Sequence, residues 1–186
     1  MKINRRLNLV IPIHREKDVI YVHSVPISAE VFEANFMTIS RTFASIYGLG
    51  LGPTAGPRIA GMMLKKVGAE LGLEKETQSL INEMRRLSNV IVPTNAGWET
   101  IPLQDALDKK LIEDDDVSEV ENAIAFFTVL SWMHRRDQLK QMLDEAVKLF
   151  GAQLESSSCT EYATSLRTSS ADETSGETVA VSSPPR

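Results

Sequence analysis

The chain has 186 residues, 42% of them hydrophobic and 24% charged, and a formal net charge of −5. That balance argues against a general nucleic-acid binder, which would carry a basic face. One cysteine, Cys159, leaves no disulfide to form within the chain, and no window approaches the roughly 20 apolar residues of a membrane span.

In chain order, Leu7, Leu9, Ile11 and Ile13 alternate with other residues, and the cluster Arg15 to Asp18 separates them from Val19 to His23. Two β-prone runs around a polar turn predict a hairpin over about 5–24. Pro12 has no backbone donor, so its strand should be an edge or be distorted there. A lone hairpin is marginal in water, so it has to pack on helices or pair with another chain.

Ser28 reads as the N-cap of a helix to about Tyr47, with Phe32, Phe36, Ile39, Phe43 and Ile46 as its apolar stripe. The glycine-rich run Gly48 to Pro57 reads as a connection. A second helix follows from Pro57 to Leu71, stopped by Gly72. A third spans Lys75 to Val90, with Leu80, Met84, Leu87 and Ile91 on one side. Pro93 to Gly97 form a loop, and Leu103 to Leu111 a short helix. Asp116 and Glu119 have capping-box spacing ahead of an almost wholly apolar helix, Val117 to about Met133, the expected core helix. A last helix runs from Asp137 to Phe150, capped by Gly151. From Glu155 onward the chain turns Ser/Thr-rich and offers little to bury, which predicts a flexible arm.

The chemistry-bearing residues form no catalytic, cofactor or metal signature. Gly48, Gly50, Gly52 and Gly56 follow a helix rather than a strand, and Pro57-Arg58 stands where a phosphate loop needs Lys-Ser/Thr. The acidic run Glu113 to Asp116 lacks the alternating oxygens and central glycine of a calcium loop and suits a helix N-terminus instead. His14 and His23 could approach across the hairpin, but two imidazoles make a poor zinc site, and His134 sits between helices. Cys159 lacks the electropositive surroundings that activate a thiol. The basic pairs Arg5-Arg6, Lys65-Lys66, Arg85-Arg86, Lys109-Lys110 and Arg135-Arg136 are scattered and read as solvated helix faces, with the lining of an acidic partner, if they converge in space, as the alternative. Trp98 and Trp132 read as core residues, with partner anchoring as the alternative.

Two stretches resemble the tail assembly chaperones of long-tailed, siphovirus-like bacteriophages: Phe36 to Leu64 (FMTISRTFASIYGLGLGPTAGPRIAGMML) and Phe126 to Leu166, followed by the Ser/Thr-rich end. The resemblance implies a mostly helical protein of the host cytoplasm, absent from the mature virion. Such a protein binds the aggregation-prone tape measure protein, recruits tail tube subunits, and in many phages acts beside a frameshifted longer product. It implies no enzyme activity, while the acidic net charge and the absence of a long apolar window argue against nucleic-acid and membrane partners. The expected organisation is a mainly α domain over 1–154, with its N-terminal hairpin, and a disordered tail over 155–186. The alternative function is a structural tail completion or head–tail connector subunit.

Overall fold

The computed structural model describes residues 7–135, 137–143 and 151–166. The predicted hairpin forms from β1 (Asn8–His14) and β2 (Val19–Ser24), in the register Ile11↔Val22 and Ile13↔Ile20. It is not alone. β3 (Ser88–Thr94), β4 (Gly97–Pro102) and β5 (Gln153–Glu155) join it in an antiparallel sheet ordered β4-β3-β2-β1-β5. Helices still dominate the described secondary structure, as expected, but the sheet makes this an α+β fold rather than a purely helical domain.

Alternation along the strands gives the sheet two apolar faces. Leu9, Ile11, Ile13, Ile20, Val22 and Val90 enter the main core with the helices, while Val10 and Ile91 join a second, smaller cluster on the opposite face. Pro12 keeps its local edge position, because β5 pairs only with Asn8 to Val10.

Ser28 caps α1 (Ala29–Ala34) by accepting from the Val31 N–H, as predicted. The expected single helix to Tyr47 is two. At Asn35 the side chain donates to the Val31 carbonyl at 2.8 Å, and α2 (Phe36–Gly48) starts afresh. An asparagine bonding to nearby backbone competes with helix continuation. α3 (Gly52–Glu70) begins five residues before the expected Pro57, which lies inside it. Pro57 removes one donor from the helix interior. Just beyond it, Asn122 Oδ1 accepts from the N–H groups of Gly61, at 2.8 Å, and Met62, at 3.3 Å. Gly72, at φ +68, ends the segment as predicted.

α4 (Glu74–Arg86) has Glu74 and Glu76 in its first turn and Arg85 and Arg86 in its last, matching the helix dipole. It ends before the expected Val90, because Ser88 to Thr94 pairs with β2 on one side and β4 on the other. The expected loop at Pro93 to Gly97 shrinks to a tight turn in which the Thr94 hydroxyl donates to the Gly97 carbonyl. α5 (Leu103–Asp108) follows.

α6 (Asp114–Met133) is the expected core helix, with Phe126, Phe127 and Leu130 fully buried. Its predicted capping box does not form: the helix starts earlier, so Asp116 lies in the first turn and no side chain caps it. Residues 137–143 are helical, and Leu139 and Leu143 reach the main core.

The chain past residue 154 corrects the expected tail boundary. Glu155 pairs with Asn8, and Ser158 begins α7 (Cys159–Ser165) with a complete capping box to Glu161. Tyr162 and Ala163 are buried against Val10 and Ile91 on the second face of the sheet. The rest of the expected tail, 167–186, lies outside the described residues.

Candidate interaction surface

The candidate chemical residues do not converge. Val10 pairs with His23 and His14 with Val19, so the two imidazoles lie four ladder positions apart, on the order of 13 Å. His14 is exposed. His23 is fully buried; its Nε2 lies 3.1 Å from the Ser157 carbonyl, and burial holds its pKa below the usual histidine value. Asn8 Nδ2 donates to the same carbonyl at 2.8 Å, so both groups tie α7 to the sheet. The His134 ring stands edge-on to Phe43 at 5.3 Å.

Burial pushes the Cys159 thiol up to about 11, the opposite of what a nucleophile needs. The acidic run forms the N-cap and first turn of α6, and the glycine run spans the end of α2, its link to α3 and the first turns of α3. No group of three potential metal ligands occurs among the described residues. None of their helices is long and apolar enough to cross a membrane.

Three members of the basic pairs are tied to carboxylates. Arg85 and Lys65 both address Glu121, and Arg86 grips both oxygens of Glu83. Arg5, Arg6 and Arg136 lie outside the described residues. Both tryptophans pack within the fold: Trp132 stacks on Phe32 at 4.7 Å, and Trp98 meets Tyr21 at 5.7 Å.

What the fold does present is apolar surface on one helical hairpin. Among the described residues, five large hydrophobic side chains are exposed, and four belong to the α2–α3 hairpin: Phe36 at 49%, Met37 at 55%, Leu49 at 64% and Met62 at 63%. Packing explains why. α2 turns Thr38, Ile39, Thr42 and Ile46 inward, and the Thr42 hydroxyl donates to the Thr38 carbonyl. α3 turns Gly56, Ala60, Leu64 and Val67 inward.

Gly56 lets α3 approach α6 so closely that a Cβ there would overlap the Phe126 ring. With each helix held on the other and on α6, their remaining faces are left to solvent. Met37, Arg41 and Ala44 form the outer stripe of α2; Arg58, Met62, Lys65 and Lys66 form that of α3.

A groove of ≈ 480 Å³ lies between α1 and α4. Buried Leu80 lines it together with Glu30, Asn35, Glu83 and Arg86. The Arg86–Glu83 fork is internal to α4, so the groove contributes little unsatisfied chemistry.

Apolar spacing places Phe36 on the buried stripe and marks none of Met37, Leu49 or Met62. One signal was available: the stretch from Phe36 to Ala69 holds four basic residues and no carboxylate. Comparison of the chain with protein-family models, with curated proteins and with solved structures returned no match.

Proposed function

We propose that the chain is a phage tail assembly chaperone that holds the tape measure protein during virion assembly and helps recruit tail tube subunits. The observation that carries this reading is the exposed apolar face of α2–α3, which falls within the Phe36 to Leu64 stretch that resembles such chaperones. Four large apolar side chains on one helical hairpin suit an amphipathic helical client laid across them. Weak sites repeated along one long client gain strength through effective concentration. The role needs no catalytic group; it acts in the host cytoplasm and leaves before the virion matures.

The test is co-expression with the tape measure protein encoded nearby, then pull-down and size-exclusion chromatography with light scattering. A soluble complex with several copies of this chain per client is the expected result. Failure to solubilise or bind that client, together with detection of this chain in purified virions, would overturn the reading in favour of a structural tail or connector subunit.

A further inference from the structure

The α2–α3 face is also electrostatically distinct. Between Phe36 and Ala69 lie four of the chain's 20 basic residues, Arg41, Arg58, Lys65 and Lys66, and none of its 25 acidic ones. All four are exposed. They share the solvent stripes with two of the apolar anchors: Arg41 is one turn from Met37, while Arg58, Lys65 and Lys66 lie one turn either side of Met62. Lys65 leans toward Glu121 at 3.9 Å but keeps its side chain 56% exposed. A hairpin of four basic residues and one carboxylate, Glu70 at the far end of α3, with apolar anchors between, is thus set into a chain of net negative charge.

We propose that this face takes an acidic amphipathic helix, whose apolar residues meet Phe36, Met37, Leu49 and Met62 while its carboxylates meet Arg41 and Lys66. The inference rests on the chaperone reading and specifies the chemistry of the client segment. The dimensions fit, since α2 and α3, at 13 and 19 residues, run about 20 and 28 Å. A helix on that track presents apolar positions three and four residues apart with acids beside them.

Charge complementarity selects the partner and its register. Extended polyanions fit less well. A nucleic acid or an anionic membrane also meets the surrounding negative field, whereas a short helix feels chiefly the charges within about 8 Å at physiological salt. Phosphate backbones also have no use for the exposed methionines.

The test uses the full chain and fluorescein-labelled helical peptides of about 18 residues that share one apolar pattern, with either Glu or Lys on the flanks. Fluorescence anisotropy should show the acidic peptide binding at least about tenfold tighter than the basic one, and this preference should shrink as salt is raised. The double reversal Arg41→Glu with Lys66→Glu should invert the preference, Met37→Ser with Met62→Ser should weaken both peptides, and Lys17→Glu, away from the face, should change neither. Circular dichroism checks that each variant is folded.

Equal binding of both peptides, or tighter binding to anionic vesicles or single-stranded DNA than to the acidic peptide, would overturn the inference. So would a tape measure complex that forms normally with the reversed variant, and that outcome leaves the chaperone reading standing. Acidic-peptide selectivity without any tape measure complex supports the surface assignment and removes the chaperone reading.

Discussion

Replacing Tyr162 by Ala tests whether residues 155–166 belong to the fold or to a loose arm. Tyr162 is 7% exposed, sits edge-on to Tyr21 at 5.8 Å, and accepts a hydrogen bond from the Gln153 side chain. An aromatic side chain buries at least about 150 Å². At about 25 cal/mol per Å² its removal costs close to 4 kcal/mol, reduced to about 3 because a real unfolded chain already hides part of that area.

A seven-residue helix has no stability of its own, so this loss falls first on the docking of α7. About 3 kcal/mol is on the order of a hundredfold in the local opening constant. Amide hydrogen exchange across α7 should therefore accelerate by that factor. Trp98 emission should shift to the red in a Trp132→Phe background as its cluster opens, and Tyr162→Phe should keep most of the protection. Unchanged exchange in α7 and unchanged Trp98 emission in Tyr162→Ala would refute the reasoning, and with it the assignment of this segment to the fold.

Stability should also fall on acidification. The buried His23 resists protonation while the unfolded chain takes up a proton, so stability is full above about pH 6.5 and is lost as pH drops below it, until the depressed native value is reached. Nearby Glu155 favours the charged ring but does not outweigh burial. Urea titrations between pH 5 and 8 should show this slope, flattened in His23→Gln; parallel slopes would exclude His23. Gly68→Ala should cost about 1–3 kcal/mol by urea denaturation, because its Cβ would overlap Thr77 where α3 meets α4. A neutral result would mean that contact relaxes freely. Asn122→Ala leaves the Gly61 and Met62 N–H groups without that acceptor and should cost about 1–3 kcal/mol by the same measure; a loss under about 0.5 would show that backbone carbonyls satisfy them.

The sequence determined what short-range chemistry controls. Alternation placed the hairpin, and the Ser28 cap and Gly72 stop bounded two helix ends at or next to the expected residues. The apolar run to Met133 identified the central helix, because a helix apolar on nearly every side has to be enclosed.

Tertiary structure decided the rest. Ser88 to Thr94 carries apolar residues at positions that serve a helix or a strand equally, and only pairing with β2 and β4 resolves them. Gln153–Glu155 is too short to read alone and exists because β1 offers an unpaired edge. Ser158 and Glu161 had capping-box spacing in the sequence, but the polar composition around them hid Tyr162, whose burial depends on an apolar sheet face assembled from distant strands. The exposed face of α2–α3 was illegible for a related reason. An apolar stripe looks the same whether it meets the core or a partner, and Ile39 and Met37 differ only in which of them the packing on α6 encloses.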